Sequence, residues 1–159
     1  MSMRVGLGFD VHPLVDPGDD RPLVLGGVTI DGARGLAGHS DADVVAHAVA
    51  DALLGPAGLP DLGTLFPASD EQHRGASSLA MLRDVVARVA DAGWRVANVD
   101  VVVAAEQPRL APHVDGMRAN LAAALGDAAV SLTPKHAEGV GAVGRGEGIA
   151  AWAVALLES

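Results

Sequence analysis

Residues 41–54, DADVVAHAVADALL, constrain the fold more than any other part of the chain. At helical spacing Val44, Val45, Ala46, Ala48, Val49, Ala50, Ala52, Leu53 and Leu54 surround the axis almost completely, so this helix is read as buried. Asp43, His47 and Asp51 recur every four residues and stack as one polar stripe on it. A buried polar stripe costs free energy unless each group has a partner. Two readings remain open at this point. Either Asp43 caps the helix while His47 and Asp51 satisfy each other, or the stripe serves a site.

The flanking sequence supplies a sheet for this helix to pack on. Residues 3–12 alternate around Gly6 and Gly8 and predict a strand carrying GFDVH near its end. VLGGVTI, 24–30, predicts a hairpin turning at Gly26 and Gly27. Ser40 stands where a helix N-cap belongs, with Asp43 as its acidic partner three residues on, and Gly55, Pro56 and Gly58 end the helix. Residues 58–75 are rich in Gly, Pro, Asp and Ser and read as a long functional loop. An amphipathic helix over 77–92, a strand over 98–106, a helix over 109–125, a short strand at 130–132 and a final helix over 149–157 complete the chain. The expected fold is α+β: one domain spanning 1–159, a two-layer sandwich with a mixed sheet and helices on one face.

Charge and composition narrow the chemistry. The formal charge of −9 disfavours nucleic acid and anionic membranes as partners. With no cysteine, a metal must be held by His, Asp or Glu. No apolar signal core opens the sequence, and no apolar run reaches the roughly 20 residues of a membrane span, so a cytoplasmic location is expected.

Asp10 and His12 leave the same face of the first strand and can converge on one ion. With His47 they give two imidazoles and a carboxylate, a zinc-type set that leaves a fourth position open. His39, beside Ser40 at the mouth of the striped helix, can place a hydrogen bond near the same site, whereas His73 and His113 have only loop context. Asp61 is either an acceptor for hydroxyl groups or a turn residue bonding its own backbone. GRGEG at 144–148, with Arg145, either offers backbone N–H groups to an anion before the last helix or is a flexible turn.

GFDVHPL, GHSDADVVAHAVADALLG, GLPDLGTLFP, NVDVVVAAEQPRLAPH and GRGEGIAAWAVALL, in that order over nearly the whole chain, resemble the methylerythritol cyclodiphosphate synthases. The resemblance implies a homotrimer packed through its sheets, with active sites between subunits. In such enzymes the 2-phosphate of CDP-2-C-methyl-D-erythritol 2-phosphate attacks its own β-phosphate. The products are 2-C-methyl-D-erythritol 2,4-cyclodiphosphate and CMP, a phosphorus–oxygen lyase step of non-mevalonate isoprenoid synthesis. The catalytic group implied is Asp10, His12, His39, His47 and Glu138, with zinc on Asp10, His12 and His47 and magnesium or manganese on Glu138. The polyol is expected by His39, Ser40, Asp61 and Gly63, and the cytidine by a neighbour's Ala105, Pro108, Arg109, Leu110 and Ala111. Lys135, His136 and Arg145 are expected to bind substrate, the first two by bringing donors and positive charge to the phosphates. The chain departs from the family where Thr133, Pro134, Lys135, His136 and Ala137 replace the usual Lys-Ala-Thr-Thr-Thr, and where Ala68 replaces an aspartate. The changed loop motivates two alternatives, a paralog acting on another CDP-linked polyol phosphate and a noncatalytic ligand-binding trimer.

Overall fold

In the computed structural model, which describes residues 1–159, strand β1 (Met3–Pro13) separates two kinds of residue by its pleat. Gly6, Gly8, Asp10 and His12 face one side, and Val5, Leu7, Phe9 and Val11 face the other. Helix α1 (Val44–Ala57) lies on the glycine side. A Cβ on Gly6 would stand 2.0 Å from the Ala52 carbonyl oxygen, and one on Gly8 1.9 Å from that of Ala48. The helix therefore rests directly on the strand backbone, and this close approach brings a side chain of α1 to the end of β1.

The remaining strands extend the layer. Strand β6 (Gly148–Glu158) runs antiparallel to both β1 and β4 (Arg95–Ala104), and β4 pairs in parallel with β5 (Ala129–Lys135). The resulting order is β1-β6-β4-β5, a mixed sheet. The parallel pair needs a crossover, which α4 (Val114–Ala124) provides. Helix α3 (Ser78–Asp91) buries Leu82, Val85 and Val89 beside α1. Strands β2 (Leu23–Leu25) and β3 (Val28–Ile30) form the expected hairpin, with Gly26 and Gly27 at φ 53° and 71° in its turn.

Three expectations need correction. Residues 149–157 form the second strand of the sheet, paired on both sides, and not a helix. Their Ala and Leu content favours helix, but Ile149, Ala151, Ala153, Ala155 and Leu157 are fully buried while Trp152 and Val154 are exposed, an alternation only a strand produces. The helix expected over 41–54 both starts and ends later, with Asp43 and not Ser40 as its N-cap, Gly55 and Pro56 inside it, and Gly58 as its left-handed C-cap. Asp43 is completely buried and accepts from the amides of Ala46 at 3.0 Å, Gly26 at 2.9 Å and Gly27 at 2.7 Å, so it ties the hairpin to the helix. Burial pushes its carboxyl up against the opposing pull of those amides. The 58–75 loop is partly ordered as α2 (Leu62–Leu65) and a 3₁₀ turn at Glu71–His73.

The outer face of β1 and β6 is apolar and uncovered. Val5 is 70% exposed, Leu7 71% and Phe9 50%, and Phe9 stacks on its cross-strand neighbour Trp152 with ring centroids 5.2 Å apart. No helix is long and apolar enough to cross a membrane.

Candidate active site

At the C-terminal end of β1 the inward face changes from glycine to Asp10 and His12, and α1 delivers His47 beside them. Asp10 Oδ2 lies 2.9 Å from His12 Nε2 and 3.1 Å from His47 Nδ1, and one ligand atom from each residue falls within 4.8 Å of the others. Burial opposes ionisation of Asp10, but hydrogen bonds from the two rings outweigh it and hold the carboxyl at about 2. The same contact raises His12 above its ordinary value, with partial burial working against it and the Ala37 carbonyl adding to it.

The donor set fits a divalent cation. His12 Nδ1 sits 2.7 Å from the Ala37 carbonyl oxygen, which can only accept, so Nδ1 holds a proton, and Nε2, which faces Asp10, is the nitrogen left to bind a metal once its own proton is lost. Two imidazoles and a carboxylate without a thiol suit zinc and related metals. His47 Nε2 turns away from this corner, 2.7 Å from Ser78 Oγ and 3.3 Å from Ser40 Oγ.

The three residues floor a cleft of about 250 Å³ whose walls include His39, Ser40, Asp51, Gly63, Phe66 and Ala68. His39 Nε2 is fixed 2.9 Å from the Asp70 carbonyl oxygen. The rest of the polar stripe divides: Asp51 accepts the Leu62 amide at 2.9 Å and anchors the loop instead of pairing with His47. Burial raises the Asp51 carboxyl, with the Leu62 amide pulling the other way.

A model of the YgbB family matches residues 3–158. The chain belongs to that family. It is 58% identical over 157 residues to 2-C-methyl-D-erythritol 2,4-cyclodiphosphate synthase of Rubrobacter xylanophilus, covering 98% of this chain and 94% of that protein. Among solved structures, IspF of Plasmodium falciparum in complex with CDP superposes with a TM-score of 0.83 at 29% identity, covering 98% of this chain and 95% of that one. The bifunctional IspDF of Campylobacter jejuni gives a TM-score of 0.91 at 37% identity, and this chain, 98% covered, spans 42% of it.

The other residues expected to act lie elsewhere in this family member. Ala105, Pro108, Arg109, Leu110, Ala111, Lys135 and His136 line a second cavity of about 190 Å³ that shares no residue with the cleft. Glu138 is exposed in a left-handed turn, φ 54°. Its loop is held by Glu106, whose carboxylate accepts the Ala137 amide. Arg145 lines a third, polar cavity of about 590 Å³ and pairs with Glu147. GRGEG precedes a strand, so no helix N-terminus stands behind it. The Asp61 side chain caps α2 by accepting the Thr64 amide at 2.9 Å and does not line the cleft, although Gly63 does.

Sequence reasoning missed several residues. His73, read as a bystander, lines the cleft with its ring edge-on to Phe66 at 5.3 Å. Ser78, Asp41 and the Ala37 carbonyl contact the two imidazoles directly or through one another. Ser78 lay hidden in an ordinary helix start, and a backbone carbonyl has no signature in sequence.

Proposed function

We propose that this chain catalyses the cyclisation of CDP-2-C-methyl-D-erythritol 2-phosphate to 2-C-methyl-D-erythritol 2,4-cyclodiphosphate with release of CMP, as a phosphorus–oxygen lyase of isoprenoid biosynthesis. The observation that carries this reading is the convergence of Asp10, His12 and His47 in the floor of a cleft, in a chain whose relatives are synthases along its full length. Relatives at this identity favour the synthase reaction over a paralog with another polyol or a noncatalytic trimer.

The reaction joins two phosphates of one molecule, so catalysis consists chiefly of positioning and charge neutralisation. Asp10, His12 and His47 would hold zinc, and Glu138 would hold magnesium or manganese. When bound, the two cations supply Lewis acids that polarise phosphate oxygens and offset charge on the departing CMP. His39 and Ser40 hold the polyol with the Gly63 loop, which the Asp61 cap begins. Lys135 and His136 replace threonine hydroxyls with N–H donors and positive charge at the diphosphate. The segment from Ala105 to Ala111 receives the cytidine, and Arg145 offers positive charge to a phosphate.

Sheet order supports an active site shared between subunits. Asp10, Ala151, Val103 and Pro134 stand level across the four strands, which places the cation corner and Lys135 at the same end of the sheet on opposite edges. Three strand spacings separate those edges by roughly 14 Å. A head-to-tail ring brings the β5 edge of one copy to the β1 edge of the next, and the bare apolar face of β1 and β6 supplies the contact. A homotrimer built on that face completes each site from two chains.

Incubation of the purified protein with CDP-2-C-methyl-D-erythritol 2-phosphate, zinc and magnesium, followed by phosphorus NMR, tests the reading. Stoichiometric CMP and cyclic diphosphate are expected, and absence of both removes it.

A further inference from the structure

Each imidazole in the cation corner has one nitrogen toward Asp10 and one nitrogen behind. For His12 the rear partner is a backbone carbonyl. For His47 it is a hydroxyl, Ser78 Oγ, which can donate or accept. Which it does is settled one residue further back.

The Asp41 carboxylate is fixed by three donors. Its Oδ1 accepts the Asp43 amide at 3.1 Å and the Ser78 hydroxyl, and its Oδ2 accepts the Ser78 amide at 3.0 Å. Both Asp41 oxygens act as acceptors and the Ser78 hydroxyl donates to Oδ1, so the single hydroxyl proton of Ser78 points at Asp41. Ser78 then presents only lone pairs to His47. Ser78 is 1% exposed, and the other hydroxyl near Nε2, Ser40 Oγ, is farther away at 3.3 Å, accepts the Ala42 amide and has Ser78 Oγ, 3.4 Å away, as an acceptor for its own proton.

Resting on the cation-binding reading above, we propose that Asp41 and Ser78 form a relay that holds a proton of His47 on Nε2, so that Nδ1, which faces Asp10, is the nitrogen that gives up its proton to a metal. The order is Nε2–H donating to Ser78 Oγ, and Oγ–H donating to Asp41 Oδ1. Both bonds are polarised toward the carboxylate, which raises electron density on Nδ1 and makes it a better ligand. Asp41 and Ser78 are positioning residues: neither faces the open side of the cation corner. The relay also couples two elements, because Ser78 is the first residue of α3 while His47 belongs to α1. A docked α3 is thereby a condition for a correctly oriented ligand on α1.

The test uses the full chain, stripped of metal and labelled with ¹⁵N-histidine, with zinc chloride as the only ligand. Long-range proton–nitrogen spectra are expected to show His47 protonated at Nε2 both before and after zinc is added. In Ser78→Ala the neutral ring is expected to populate both tautomers, and zinc affinity, measured against a chromophoric chelator, to fall about 10–100-fold. Asp41→Asn, which keeps the side-chain shape, is expected to show the same change in smaller measure. A neutral wild-type ring carrying its proton on Nδ1 overturns the proposal, as does zinc affinity within twofold of wild type in both variants. The wild-type spectrum decides even if a variant fails to fold. Because no substrate is present, a chain that makes no cyclic product can still possess the relay, and one lacking the relay can still make product.

Discussion

The cation corner and the 133–138 segment, the end of β5 and the turn after it, are two halves of one proposed site, and they are built in opposite ways. Asp10, His12 and His47 sit on one of the two longest strands and on the most deeply buried helix, and partners within the same chain hold both imidazoles from behind. Lys135, His136 and Glu138 stand at the far edge of the sheet, exposed, with Glu138 in a left-handed turn and Ala137 fastened by Glu106. One half is finished by its own fold, and the other is completed by what it meets. Cation binding should therefore survive in any folded copy, whereas turnover should depend on a neighbour.

The sharpest break is His47→Ala. Removal of one of three ligands should abolish stoichiometric zinc binding and lower turnover by about 10³-fold or more, since such a cation contributes several kcal/mol to the transition state. Elemental analysis and initial rates check this. Full activity without bound zinc would remove the corner from the chemistry.

A mixing experiment addresses the division between chains. His47→Ala and Glu138→Ala should each be inactive alone, yet co-refolded in equal amounts they should recover activity in about a quarter of sites if each site draws its halves from different chains. Sedimentation must show a trimer in both. Recovery no greater than the sum of the separate mutants would place both halves in one chain.

How legible these halves were in the sequence follows the same division. Asp10-x-His12 on a strand and His47 on a striped helix follow from periodicity, because a regular element fixes where each side chain points. The stripe itself divided in a way spacing could not foresee: Asp43 went to the hairpin amides and Asp51 to Leu62, choices made by tertiary neighbours. Residues 149–157 defeat a local reading because Ala and Leu favour a helix, while pairing between β1 and β4 rewards an extended chain. The roles expected for Lys135, His136 and Glu138 rest on resemblance alone, since an exposed strand end and the turn after it carry no periodic signal.

Gly8→Ala probes how the corner is assembled. The added Cβ would meet the Ala48 carbonyl, so α1 must lift from β1. A loss of about 1–3 kcal/mol in stability is expected, with weaker zinc binding because His47 rides on α1. Thermal melts and zinc titration measure both. Unchanged zinc affinity in a destabilised protein would show that the corner tolerates helix movement.

Lys135→Ala tests the other half. A charge-assisted hydrogen bond to phosphate contributes about 1.5–3 kcal/mol when shielded and less at an exposed position. CDP binding should weaken by about tenfold, while cytidine binding should change little. Equal losses for the two ligands would mean that Lys135 supports the shape of the loop instead of contacting phosphate.

The smallest effect lies in the pH dependence of the metal-free chain. His12 is raised above its ordinary 6.5 chiefly by Asp10, so its contribution is complete below 6.5 and is lost as pH rises through the folded value. Asp10 is lowered from 3.8 to about 2, so its contribution is present above 3.8 and is lost as pH falls toward 2. The pair stabilises the empty corner most in the window between those ordinary values. Zinc needs His12 without its second proton, so zinc affinity must rise with pH where the metal-free chain loses stability. Melting temperatures of the stripped protein should fall by a few degrees between about pH 6 and pH 8, while those of the zinc-loaded protein should not. A stripped protein that gains stability over that interval would show that the Asp10–His12 contact is not an ion pair in solution. The self-sufficiency of the first half would then depend on its cation.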